Sequence, residues 1–243
     1  MTTWLFAGPS LWPRRPSWSA DVQLRPPVAG GDVYAAVLAG AGRIAIVDGF
    51  FGDRPAVRHK EILWALAQGV PVLGAASMGA LRAVELAPFG VEGVGAVFEG
   101  YRSGRYTKDG DVAVAHAPAE LGFQPLTLAV VDVEARLARG LAALGWPPHR
   151  LAGWLDVARS VPFRQRTASN LRDRFRNATG DDAMPEPLLD WLGADGFSLK
   201  RADVAALLRR LERPSARPEL PEGPWDMFHA RALEEARRRV VHG

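Results

Sequence analysis

Val70-Pro71-Val72-Leu73-Gly74-Ala75-Ala76-Ser77-Met78-Gly79-Ala80-Leu81-Arg82-Ala83-Val84-Glu85-Leu86 is the stretch that decides the fold. Its first part, residues 70–76, is a short apolar run that reads as a buried strand, and its second, 78–86, reads as a helix. A strand passing into a helix through very small residues is half of a βα unit, and the same rhythm recurs upstream. Residues 3–7 form a short apolar run stopped by Gly8-Pro9-Ser10, and 43–47 form another stopped by Asp48-Gly49. Residues 55–68 then read as a helix, with Asp53 as N-cap, Pro55 in the first turn and Gly69 as its stop. Strands alternating with helices predict an α/β fold, a mainly parallel buried sheet with flanking helices.

The second half changes character. Leu126, Val130, Val133, Leu137, Leu141 and Leu144 recur at helical spacing and predict one long amphipathic helix, closed by Gly145-Trp146-Pro147-Pro148. Further helices are predicted over 150–158, 167–175, 198–211 and 224–241, with a proline-rich, stiff linker over 214–224. Residues 90–122, rich in glycine and polar turns, receive no assignment. The expected organisation is an α/β core over 1–124 and an all-helical region over 125–243, without internal repeats.

Composition narrows the function classes. The net charge is only +3 and acids and bases are interleaved, which argues against a nucleic-acid partner. No apolar run approaches the roughly 20 residues that span a bilayer, and the first residues lack a basic stretch ahead of a long apolar one. The expectation is a cytoplasmic protein without a membrane partner. The chain has no cysteine, which excludes disulfides, thiolate metal sites and a persulfide carried on this chain. Of 30 basic residues only Lys60, Lys108 and Lys200 are lysines. An amine can lose its proton where a guanidinium cannot, so each surviving lysine is a candidate for amine chemistry as well as for a solvated surface charge.

Gly74-Ala75-Ala76-Ser77-Met78-Gly79-Ala80 puts a serine between strand and helix among small neighbours. The arrangement is similar to a nucleophile elbow, with Ala75 at the first glycine position and the Met78 amide next to the serine as an oxyanion donor. The same serine also suits the N-cap of the following helix. A nucleophilic serine needs a base. Five histidines leave a histidine base open. Lys60 is the alternative, since Ala56, Leu63, Trp64 and Ala67 share its side of the predicted helix and give it an apolar setting, although a lysine can also snorkel to water. Asp48, at a strand end, serves either to orient Lys60 or to close an Asx turn, and the Gly49 or Phe50 amide offers a second oxyanion donor. Gly8-Pro9-Ser10 and Asp109-Gly110-Asp111 read as similar strand-end loops. No metal-ligand spacing and no nucleotide loop is present, so no metal or cofactor is expected.

Taken in order, Phe6-Ala7-Gly8-Pro9-Ser10, Asp48-Gly49-Phe50-Phe51, Pro55-Ala56-Val57-Arg58-His59-Lys60-Glu61-Ile62, Gly74-Ala75-Ala76-Ser77-Met78-Gly79-Ala80-Leu81-Arg82-Ala83 and Val112-Ala113-Val114-Ala115-His116-Ala117-Pro118 resemble the TfuA family over about the first 125 residues. The pattern departs at Lys108-Asp109-Gly110-Asp111, where a more continuous acidic run is expected. The resemblance implies a fold outside the standard superfolds and a role in peptide-backbone thioamidation beside a YcaO enzyme, which activates the peptide amide with ATP. It implies hydrolysis of the C-terminal thiocarboxylate of a ThiS-like sulfur carrier, so that sulfur leaves as sulfide, through a Ser–Lys pair to which Ser77 and Lys60 correspond. Ser10, His59, Arg82 and His116 fall in the matching blocks and are candidate binding residues, and the precursor peptide is a further candidate partner. The alternatives are a non-catalytic adaptor between YcaO and its peptide, and a small-molecule serine esterase or peptidase using the same pair.

Overall fold

The computed structural model describes residues 2–13, 16–52, 54–178, 183–193 and 196–220, together with 234, 236 and 238. Five strands, β1 (Thr3–Phe6), β2 (Val22–Arg25), β3 (Arg43–Ile46), β4 (Val72–Ala75) and β5 (Glu92–Val94), form one parallel sheet in the order β2-β1-β3-β4-β5. The α/β class with a parallel sheet is therefore as expected. The order reverses at β1 and β3, and in doubly wound sheets such a reversal opens a crevice beyond the strand ends.

Side chains alternate across each central strand. Phe6, Ile44, Ile46 and Val72 face a core closed by α1 (Asp32–Leu38), α2 (His59–Ala67) and α3 (Met78–Leu86). Leu5, Ala45, Leu73 and Ala75 face the other way, onto Val204, Leu207, Leu208 and Leu211 of α9 (Leu199–Leu211). The β1–β2 crossover carries a short 3-10 turn at Pro9–Leu11 and no α-helix among its described residues, so the second layer comes from the far end of the chain. Arg43, buried at the start of β3, donates to the carbonyls of Leu211 and Arg213 at 2.7 and 2.9 Å and neutralises the carbonyl end of α9. Arg210 of α9 forks onto both oxygens of Glu92 in β5.

The remaining helices are α4 (Ala96–Arg102), α5 (Val130–Ala143), α6 (Leu151–Ser160), α7 (Ala168–Arg176) and α8 (Glu186–Leu189). α5 to α8 enclose a separate core around Leu137, Trp154, Phe175 and Leu188. α5 begins at Val130, four residues later than predicted, because Leu126 lies in an extended segment and pairs its N–H with the Ala115 carbonyl at 2.8 Å. α2 begins at His59 and not near Pro55. The Pro55 carbonyl instead accepts from Gly30 at 2.7 Å, and Glu61 satisfies the Arg58 N–H at 2.7 Å. The expected cap Asp53 and nearly all of the expected 224–241 helix lie outside the described residues. No helix among the described residues is long and apolar enough to cross a membrane.

Candidate active site at the head of α3

β4 stops at Ala75 and the chain turns into α3 within two residues. Ala76 sits at φ 67°, in the left-handed region that side chains other than glycine seldom adopt. The Ser77 N–H donates to the Ala75 carbonyl at 2.8 Å, closing a tight three-residue turn around Ala76. Backbone strain of this kind persists only where the surroundings enforce it. Here α3 is pressed directly on the sheet. A Cβ on Gly79 would lie 1.8 Å from the Ile46 carbonyl oxygen, and one on Gly74 would lie 2.1 Å from that of Gly79. These two glycines are fixed by close approach.

The turn sets Ser77 at the C-terminal edge of the sheet, where open α/β sheets bind ligands. The N-cap alternative is not realised by the side chain, which makes no capping bond to α3. The hydroxyl instead donates to the Val112 carbonyl at 3.5 Å, the long limit for such a bond, and Ser77 is 2% exposed. Two amides beside it, Met78 and Gly49, donate to no acceptor among the described residues. They belong to touching residues, since a Cβ on Gly49 would come within 2.7 Å of the Met78 side chain. The Phe50 amide is committed elsewhere, donating to Val28 at 3.2 Å, so of the two expected second donors only Gly49 is free to act.

Asp48 neighbours this arrangement but does not orient Lys60. One of its oxygens accepts from the Gly8 and Ser10 amides, each at 2.9 Å, and the other accepts from the Ser10 hydroxyl at 2.6 Å. The carboxylate thus pins the β1 exit loop to the β3 exit across the point where the sheet order reverses. Ser10 is positioned by Asp48 and lines a cavity of about 160 Å³ that also meets Thr127, Asp132, Arg136, Lys200 and Arg201.

Lys60 is exposed, contrary to the apolar setting read from its spacing. The buried residues of α2 are Glu61, Ile62, Trp64, Ala65 and Leu66; of the neighbours expected around Lys60, Trp64 is buried and Ala56 and Leu63 are half-buried, whereas Ala67 is exposed as well. His59 and Arg82 both engage Glu85 on the outside of α2 and α3, with His59 Nε2 at 2.8 Å from Glu85, and Arg82 Nε also donates to the Val57 carbonyl at 3.0 Å. These contacts fasten the start of α2 to α3 well beyond Ser77: at 1.5 Å rise per residue Glu85 lies about 12 Å along the helix. His116 is held differently. Its ring packs between Phe50 and Phe123, with centroids 5.8 and 5.6 Å away, and Nδ1 meets the Ala117 carbonyl at 2.8 Å. Phe123 in turn touches Gly8, so His116 sits over the β1 exit.

Lys200 escaped the site reading. Of the three lysines it alone is buried, at 3% exposure, while Lys60 and Lys108 are exposed. Its Nζ donates at 3.0 Å to the Val112 carbonyl, the same oxygen that receives the Ser77 hydroxyl. A cation in the first turn of a helix opposes the helix dipole, and that sequence signal was available at Ser198-Leu199-Lys200. Asp111, read as part of a strand-end loop, lies in a 3-10 turn and is buried, paired with Arg159 at 3.2 Å. Burial pushes the carboxyl of Glu61 up to about 7 and that of Asp203 up to about 6, each against the opposing pull of backbone N–H groups donating to it. Among the described residues no group of three potential metal ligands comes together.

No curated protein matches the chain. Residues 48–167, about half of the chain, match the family described as TfuA-like protein. The matched stretch starts at Asp48 and leaves out the β1 loop, then runs past residue 125 through α6 to Thr167, the N-cap of α7. Asp48, Gly49, Ser77, Met78 and Val112 all fall within it, and over this stretch the chain belongs to the TfuA-like family.

Proposed function

We propose that the protein is a serine hydrolase that supplies sulfide for peptide-backbone thioamidation by cleaving the C-terminal thiocarboxylate of a ThiS-like carrier, in the service of a YcaO enzyme. The observation that carries the hydrolytic reading is Ser77 in a strained strand-to-helix turn, flanked by two amides that have no acceptor among the described residues. Ser77 Oγ attacks the acyl carbon, and the oxyanion forms where the Met78 and Gly49 amides can donate to it. The C–S bond breaks, the serine proton leaves with sulfur as hydrosulfide, and an ester joins the carrier to Ser77. Water then cleaves that ester, returning the carrier as a carboxylate and Ser77 as a hydroxyl. The thioamidation context, the carrier and the YcaO partner are what the resemblance to TfuA implies, and membership of the TfuA-like family supports them.

Burial of the Ser77 hydroxyl favours a second reading, an adaptor that does no chemistry and docks YcaO to its peptide. Sulfide release from a thiocarboxylated carrier, without YcaO, separates the two. Ser77→Ala should remain folded and lose at least about a hundredfold in rate, as truncation of a nucleophile does. Release at the wild-type rate by Ser77→Ala would leave the adaptor.

A further inference from the structure

We infer that Lys200, and not Lys60, is the amine that takes the proton from Ser77. This rests on the hydrolase reading above and assigns its base. Lys200 is the only buried lysine, it arrives from α9 outside the family-matched stretch, and its Nζ and the Ser77 hydroxyl converge on one carbonyl oxygen, that of Val112. The serine bond is the longer of the two, 3.5 Å against 3.0 Å, so the hydroxyl is loosely held and can turn from the carbonyl to the neighbouring nitrogen. Among the described groups Lys200 Nζ has no carboxylate partner. The nearest acid on the facing helix, Asp132 of α5, accepts from the backbone N–H of Lys200 at 3.2 Å. Asp203 on the same helix caps α4 through the Ala96 and Val97 amides, and Arg201 and Arg136 are turned to backbone carbonyls.

The same lysine forms part of the wall of the cavity that holds Ser10 and Thr127, so it has one side toward Ser77 and another toward space a substrate tail can enter. In the acylation step the free amine accepts the Ser77 proton as Oγ bonds to carbon, and passes it to the departing sulfur as the C–S bond breaks. No other reactant is needed. In the second step it accepts a proton from the attacking water and returns one to Ser77 Oγ.

The absence of cysteine from the chain allows a chemical test. Lys200→Cys is prepared in denaturant, alkylated with 2-bromoethylamine to restore an amine at that one position, and refolded. Sulfide release is then measured against pH beside wild type, unalkylated Lys200→Cys, Lys60→Ala and Ser77→Ala. The expected result is loss of about a hundredfold or more in unalkylated Lys200→Cys, recovery on alkylation, and a rate profile moved to lower pH because the thioether makes the new amine more acidic. Lys60→Ala should retain its activity. Refolding the alkylated chain keeps the test decisive even where Lys200→Cys itself does not fold. An alkylated protein with an unmoved pH profile, or a folded and fully active unalkylated Lys200→Cys, overturns the assignment, as does inactivity of folded Lys60→Ala. If Lys200→Cys is active while Ser77→Ala is dead, only this assignment fails. If Ser77→Ala is fully active, the hydrolase reading fails and takes it along.

Discussion

Replacing Asp48 by alanine removes the acceptor of three buried bonds at once, those from the Gly8 amide, the Ser10 amide and the Ser10 hydroxyl. Each buried donor left without a partner costs about 1–3 kcal/mol, and water admitted to the gap offsets part of that, so a loss of about 4 kcal/mol is expected. For a chain of this size 1 kcal/mol corresponds to about 2–4 °C, which places the melting temperature about 8–16 °C lower. Ser10→Ala deletes one donor and leaves the two amide bonds, so its cost should be near 1 kcal/mol. The double variant should cost less than the sum, because the alanine at 10 no longer has a hydroxyl to strand. Urea unfolding at pH 7 gives all three values, with circular dichroism as the probe. Asp48→Ala melting within about 3 °C of wild type would refute the claim that this carboxylate holds the β1 and β3 exits together.

Two further outcomes follow from the same packing and electrostatics. Gly79→Ala must push α3 off the sheet, because the new carbon would stand 1.8 Å from the Ile46 oxygen. Its stability should fall by about 3 kcal/mol or more in thermal unfolding, and a variant that melts like wild type would show that α3 does not need that approach. Glu61, 0% exposed, is held up at about 7 by burial. A carboxyl with a raised folded-state pKa adds stability that is fully present below its unfolded value and is lost as pH climbs through the folded one. Between about pH 4.5 and 7 the wild type should therefore lose up to about 3 kcal/mol that Glu61→Gln does not lose. Urea midpoints of the pair at pH 5 and 7.5 measure the difference, and parallel slopes would contradict it.

The three central strands were legible because each is a continuous apolar run ended by residues that break strands, and their burial on both faces removes any need for alternation. β2 and β5 went unread. They are the edge strands, and Val22-Gln23-Leu24-Arg25 and Glu92-Gly93-Val94 carry polar or glycine positions that an edge tolerates. α1 and α4 have seven residues each, too few for a periodic pattern to stand out. The strand-to-helix turn that carries Ser77 could be read from its small neighbours alone, since the close approach of α3 to the sheet is what demands Gly74 and Gly79. Its neighbour Lys200 could not be found by local spacing, being 123 positions away and joined to it only through Val112. The setting of Lys60 differed from its spacing for a local reason. Its neighbours at three and four residues are partly buried, since Trp64 is buried and Ala56 and Leu63 are half-buried, but Lys60 and Ala67 lie at the edge of that face and are exposed, while Ile62 and Leu66 point fully inward.

The layer that α9 lays over Leu5, Ala45, Leu73 and Ala75 bears on how such a protein can be taken apart or recombined. A cassette cut at the limits of residues 48–167 would carry Ser77 and its two amides, but it would leave behind three of the five strands, β1, β2 and β3, together with the helix α9 that shields β4. It would also leave Arg43 and the α9 carbonyls it binds. Chimeras between relatives would therefore have to exchange the first 47 residues, the matched block and α9 as a set, because the wall of the cleft and the roof of the sheet are the same helix.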